Sequence, residues 1–220
     1  MSDNASAKAS SNVTDEQAAR QTDAVLCRWL ATLLSAELEE DTLARYRQGE
    51  AAPLLDALRD AYGLEHETAR VEQALAGLAL LPTPQLELAA DFAELFLVDA
   101  HGGAPLYASM YAAEGKGTLL GAPAARMEVR LAAAGYAIKD NVGEPADHLA
   151  VMLDYLGQYL ETGKGAVDET PGEFVRGELC PWLPTLTKRC ARVTTASDFY
   201  PAVVALTSAY CASLAKVLDQ

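Results

Sequence analysis

Positive charge, cysteine and aromatic side chains are all scarce in this chain. Its 220 residues carry 17 Lys and Arg against 31 Asp and Glu, a formal net charge of -14. Such a surface repels phosphate backbones and anionic headgroups, which argues against nucleic acid or a membrane surface as partner and for a basic peptide. The cysteines Cys27, Cys180, Cys190 and Cys211 form no C-x-x-C pair, and each sits in an apolar helical pattern. They are expected to be free thiols of a reducing compartment. His66, His101 and His148 lie far apart without ligand spacing, so no metal site is expected. No stretch reaches the ~20 apolar residues of a membrane span. No apolar h-region follows Met1 and no twin-arginine pair occurs, so the chain is expected to remain in the cytoplasm without membrane insertion.

What is present is Ala and Leu. Half of the residues are hydrophobic but only 7% are aromatic, a mixture with high helix propensity and few β-branched runs. Thr14 and Gln17 have the spacing of a capping box, after a disordered arm over 1–13. The helix they open carries Val25, Leu26, Trp29, Leu30, Leu33, Leu34 and Leu38 at three- and four-residue steps, which makes one face apolar. Further helices are expected over 41–46, 53–58 and 67–81, the last stopped by Pro82-Thr83-Pro84. In the segment Leu86–Leu97 (LELAADFAELFL), Glu87, Asp91 and Glu94 share one stripe and Leu88, Phe92, Leu95 and Phe96 the other. A Gly- and Pro-broken loop spans 101–111. Helices follow over 123–134, over 144–160 with Gly163 as stop, and from a cap at Asp198 through Val203, Val204, Tyr210, Leu214 and Val217. With no alternating segment, the expectation is an all-α bundle of about ten helices. Lys139–Gly143 is the best linker candidate, which divides the chain into helical subdomains over 14–138 and 145–220 joined by a hinge over 139–144.

Signals for catalysis are weak. Asp147 and His148 are adjacent, and neighbouring helical residues point about 100° apart, so the Asp is badly placed to orient the imidazole as in a catalytic dyad. No nucleophile accompanies them. Gly115-Lys116-Gly117-Thr118 lacks both the upstream glycine and the preceding strand of a phosphate loop. The 144–160 helix carries more information. Leu149, Leu153, Leu156 and Leu160 form a core stripe, Asp147, Asp154 and Gln158 a polar one, and His148, Met152, Tyr155 and Tyr159 a shoulder between them. That shoulder either extends the core or holds an apolar helix beside carboxylates that meet its basic residues. If buried, its hydroxyls and imidazole each need a partner.

Three segments occur in order: Leu86–Leu97, Pro105–Tyr111 (PLYASMY) and Glu144–Leu149 (EPADHL). Together they resemble the signature of the TorD chaperones, relatives of the DmsD and NarJ groups. Cys180–Pro184 (CPWLP) and Asp198–Pro201 (DFYP) resemble the family's C-terminal helices, and the similarity spans roughly 24–214. Glu178-Leu179-Cys180 stands where many relatives have His or another polar residue before the Pro-Trp turn. The resemblance implies an all-helical, non-enzymatic chaperone that binds the apo-form of a periplasmic molybdoenzyme and its twin-arginine signal peptide. It would assist insertion of the molybdenum cofactor and delay export, in the service of anaerobic respiration. Trimethylamine N-oxide reductase is the implied client, with a dimethyl sulfoxide or nitrate reductase as the alternative. No cofactor of its own is implied beyond a weak affinity for guanine nucleotides, and the oligomeric state is a monomer or a domain-swapped homodimer. The implied client site comprises Asp91, Leu95, Phe96, Tyr107, Ser109, Tyr111, Glu144, Pro145, Asp147, His148, Met152 and Tyr155. Within it, Leu95, Phe96, Tyr107, Met152 and Tyr155 would line an apolar groove for the hydrophobic part of the signal peptide, and Asp91, Glu144, Asp147 and Asp154 would meet its arginines. Two other classes, a GTP-binding helical regulator and a permanent subunit of an assembly, are disfavoured by the missing phosphate loop and by the charge.

Overall fold

The computed structural model describes residues 3–98, 102–112, 119–136 and 144–218, with side chains from residue 15 onward. Ten α-helices and no β-strand occur among the described residues. The helices are α1 Asp3–Ser35, α2 Glu40–Arg47, α3 Ala52–Tyr62, α4 Glu65–Leu78, α5 Pro84–Phe92, α6 Ala122–Ala133, α7 Leu149–Thr162, α8 Pro171–Phe174, α9 Leu183–Cys190 and α10 Phe199–Val217. Helical backbone extends ahead of the Thr14–Gln17 box, through the stretch expected to be a disordered arm. The expected hinge lies outside the described residues apart from Glu144, as do His101 and Gly115–Thr118.

Local chemistry explains most helix ends. Pro stands in the first turn of α3, α5, α6, α8 and α9, where a missing N–H costs nothing. Gly163 takes the left-handed conformation, φ +69°, and its N–H returns to the Tyr159 carbonyl at 2.8 Å, which closes α7 as expected. Asp198 does occupy the residue before α10, but its side chain does not cap the helix. Its carboxylate pairs with Arg70 through both oxygens at 2.7 Å, and the hydroxyl of Ser197 accepts from the Phe199 N–H instead.

Two π-helical turns interrupt the α pattern, at Ala93–Leu97 and Val175–Leu179. A π turn inserts one residue into the helical register. Leu95 and Phe96 therefore both point inward while Leu97 is left exposed. The core is continuous and drawn from both halves of the chain. α1 packs along α7 and α4 packs on α10, whose buried face runs from Phe199 to Ala215. Leu26, Trp29, Leu30, Leu33 and Leu34 are buried as the sequence expects, whereas Val25 and Val217 face solvent. Phe92, Phe96 and Tyr200 meet edge-to-face, with centroids 5.0 to 5.8 Å apart, and the Tyr200 hydroxyl accepts the Leu38 N–H.

Candidate functional site

The loop after the first π turn folds back over it. A Cβ on Gly103 would sit 2.7 Å from the Leu95 carbonyl oxygen and 2.8 Å from Val98 Cγ2, so only glycine fits. The chain then meets the approach to α7 in a short antiparallel pairing of Tyr107 with His148. Leu149 N–H donates to the Leu106 carbonyl at 2.8 Å, and Ala108 N–H donates to the Asp147 carbonyl at 3.1 Å. Asp147 adds a side-chain bond: its Oδ2 accepts the Ser109 N–H at 2.7 Å. The α7 helix begins at Leu149, so Asp147 lies ahead of its first turn and does not act on it as a first-turn acid.

His148 takes the capping role. Its Nδ1 accepts the Ala150 N–H at 3.2 Å, which places the ring proton on Nε2. The Tyr107 ring stands edge-on to the imidazole at 5.0 Å, and the Tyr107 hydroxyl donates to Glu144 Oε2 at 2.6 Å. Burial pushes the His148 pKa below its ordinary 6.5, with Glu144 and Asp147 opposing that shift. Burial and the neighbouring Glu144 carboxylate push the Tyr107 phenol up. Asp147 is fully buried, and its Oδ1 and the Ser109 hydroxyl both lack a hydrogen-bond partner.

Beside this clamp stands an aromatic stack. The ring of Tyr111 lies on Trp182 at 5.3 Å and 27°, and the Arg189 guanidinium carbon stands over the Tyr111 ring, 5.5 Å from its centroid. The Tyr111 hydroxyl donates to the Pro105 carbonyl at 2.9 Å, which ties the loop to itself. Sequence reasoning missed Arg189 and the contact with Trp182. Nothing local to either residue signals a partner so far away in the chain.

The implied site residues therefore divide. Ser109, Asp147 and His148 form a buried clamp, while Tyr107, Tyr111, Glu144 and Pro145 are half-buried at its surface. Leu95, Phe96, Met152 and Tyr155 are core residues, which rules out the expected apolar groove in this structure. The tyrosine hydroxyls of the α7 shoulder find their partners within the fold. The Tyr155 hydroxyl accepts the Ala166 N–H at 3.1 Å and Tyr159 donates to the Glu169 carbonyl, so both serve to pin the loop after α7. Asp91 is buried as well. It accepts the Ala196 and Ser197 N–H groups at 2.7 and 2.8 Å and joins α5 to the turn before α10, leaving no oxygen toward solvent for a client arginine. Asp154 is exposed and holds Gln158 at 2.8 Å.

The model of the nitrate reductase delta subunit family matches residues 34–188. A chaperone protein TorD from Vibrio cholerae serotype O1 is 34% identical over 201 residues, covering 87% of this chain and 90% of the relative. A chaperone protein TorD from Psychrobacter sp. is 35% identical over 201 residues, covering 86% of this chain and 88% of its own. Among solved structures, a putative redox enzyme maturation protein from Archaeoglobus fulgidus aligns with TM-score 0.46 at 17% identity, over 90% of this chain and 94% of that one.

Proposed function

The chain belongs to the nitrate reductase delta subunit family, with TorD chaperones among its relatives, and from that premise we propose that it is a cytoplasmic, non-enzymatic chaperone of a periplasmic molybdoenzyme. Its client is the apo-form of trimethylamine N-oxide reductase with the twin-arginine signal peptide still attached. Binding keeps the apo-enzyme open for the molybdenum cofactor and withholds the peptide from export until the cofactor is in place.

The observation that carries this reading is the clamp. A carboxylate with no exposure holds the 105–111 loop against the approach to α7, which leaves Tyr107 and Tyr111 of the loop, and Glu144 beside Tyr107, half-buried at the surface. Glu144 makes no ion pair among the described residues, so its second oxygen is available to a cation on the client. Tyr rings give apolar area with a polar tip, which suits a surface that must meet a partly folded protein. Apolar contact at ~25 cal/mol per Å² supplies most of the affinity. Exposed charge pairs add only ~0–1 kcal/mol each and act on orientation and on-rate, so salt weakens binding modestly.

Titration calorimetry with the apo-reductase core and with its signal peptide tests the reading. Glu144→Gln and Tyr107→Phe are expected to weaken core binding by a few-fold, about 1 kcal/mol each, without loss of fold. A protein that binds neither the core nor the peptide, nor the equivalents from dimethyl sulfoxide or nitrate reductase, overturns it.

A further inference from the structure

α6 carries the cations, and the C-terminal half the carboxylates, of a four-membered ion cluster. Arg126 and Arg130 stand one turn apart on the same face of α6. Arg126 donates to Glu178 through Nε at 2.8 Å and Nη2 at 2.9 Å, one nitrogen to each carboxylate oxygen. Arg130 grips Glu169 in the same bidentate way, at 2.8 and 2.7 Å, and its Nη2 lies 3.1 Å from Glu178 as well. Its guanidinium also stands over the Phe174 ring, 5.8 Å from the centroid. The side chains of Glu178, Arg130 and Glu169 are 7%, 15% and 18% exposed and that of Arg126 48%, so the cluster is dry at its centre and wet at one edge.

The two acceptors are held without help from α6. Glu178 sits in the second π turn between the buried Val175 and Leu179, and the Glu169 backbone is fixed by the Tyr159 hydroxyl, which donates to its carbonyl. α6 itself has a thin apolar footing. Pro123, Ala124, Met127 and Leu131 turn inward, whereas Ala122, Ala125, Val129 and Ala132 on the opposite face are exposed. The element it packs on most is the Ala108–Met110 turn, whose Ser109 N–H is the one that Asp147 accepts. The 105–111 loop therefore has α6 against it as well as the approach to α7. An apolar contact is indifferent to charge, but a half-dry ion cluster holds only while every charge keeps a partner. Without the Glu178 charge both guanidiniums lose an anion, and Arg130 keeps only Glu169 in a site with little water.

We propose that α6 is a strap latched by this cluster: it undocks as a unit when the cluster loses a charge, and its release loosens the 105–111 loop while the α1–α7 and α4–α10 packing stays folded. The inference rests on the cluster and its surroundings and goes beyond the chaperone reading, on which it does not depend. It makes the order of the loop that bears Tyr107 and Tyr111 conditional on charges that lie outside that loop.

Hydrogen–deuterium exchange of the full chain, read by mass spectrometry on fragments, tests the proposal. Glu178→Gln keeps the shape and removes the shared charge; it is expected to speed exchange over 122–133 about tenfold or more and over 105–111 several-fold. Fragments of α1 and α10 should stay within about twofold of the parent chain. Arg126→Gln, at the wet edge, is expected to act in the same direction to a smaller degree without changing the thermal melt. Raising the salt from about 0.05 to 0.5 M should speed exchange over 122–133 a few-fold in the parent chain and leave it unchanged in Glu178→Gln. Glu128→Gln alters the net charge equally from an exposed position on α6 outside the cluster, and should change nothing. Exchange over 122–133 that follows α1 and α10 in both cluster variants overturns the strap. A faster α6 with an unchanged 105–111 loop overturns the coupling, and an equal response to Glu128→Gln overturns the latch in favour of net charge.

Discussion

Asp147 offers the sharpest separation of structural from functional roles, because two substitutions at it have opposite expected signs. The carboxylate is fully buried, yet it accepts one hydrogen bond, from the Ser109 N–H at 2.7 Å, and its Oδ1 has no partner. Asp147→Ala strands that buried N–H and removes a charge-assisted bond, which costs about 2–3 kcal/mol. In a domain of this size that lowers the melting temperature by roughly 5–10 °C. Asp147→Asn keeps an oxygen for Ser109 and removes a charge from an apolar interior. Asn is therefore expected to be neutral or stabilising by up to ~1 kcal/mol.

Urea denaturation monitored by far-ultraviolet circular dichroism measures both variants. Apo-core calorimetry on Asp147→Asn then asks whether the charge itself serves the client. Since Asp147 has no surface, the clamp predicts client binding within about threefold of the parent for Asn and a clear loss for Ala, whose loop is released. An Asn variant as unstable as Ala, or one of full stability that no longer binds the core, refutes the reasoning. The first outcome would mean that the charge is compensated in a way the hydrogen bonds do not reveal, and the second that the carboxylate contacts the client directly.

Gly157 lies where α7 meets α1, and a Cβ there would stand 2.9 Å from the Ala24 carbonyl oxygen and 3.0 Å from Arg28 Cγ. Helix propensity alone predicts that Gly157→Ala stabilises by about 1 kcal/mol, but the backbone contact is expected to reverse the sign to a loss of about 1–3 kcal/mol in urea denaturation. His148 has a pKa held below its ordinary 6.5, so the unfolded chain takes up the proton first and stability should fall as pH drops below about 6.5. His148→Asn keeps a capping oxygen for Ala150 and should remove that part of the pH dependence between about pH 7.5 and 5.5; an unchanged slope assigns it to other groups. Asp91→Ala strands the Ala196 and Ser197 N–H groups and should cost about 2–4 kcal/mol, whereas a loss of client binding at full stability would return Asp91 to the surface role its helical stripe suggests.

Much of the molecule is legible from residue order. Ala- and Leu-rich stretches at three- and four-residue steps, prolines in first turns and Gly163 as a stop mark the helices, because these signals act within a few residues of themselves. The ordered segments around Asp91, Tyr107 and Asp147 carry the resemblance to the family. The site is less legible, because a helical wheel states the angle at which a side chain leaves the axis and not what stands opposite. Asp91 shares a stripe with the exposed Glu94, yet it faces the N–H groups of Ala196 and Ser197, which only the packing of α5 beside α10 brings there. Tyr155 and Tyr159 read equally well as core or as binding shoulder until the loop after α7 supplies their partners. The π turn at Ala93–Leu97 moves Leu95 and Phe96 inward together, which no α-helical periodicity foresees. Sequence by itself determined the helices and the charge, since propensity, capping and composition are local or summed quantities, and its ordered segments carried the likeness to the family. Tertiary structure alone decided which carboxylates are buried on backbone donors and which stay free, since that depends on groups far apart in the chain being folded to within hydrogen-bond distance.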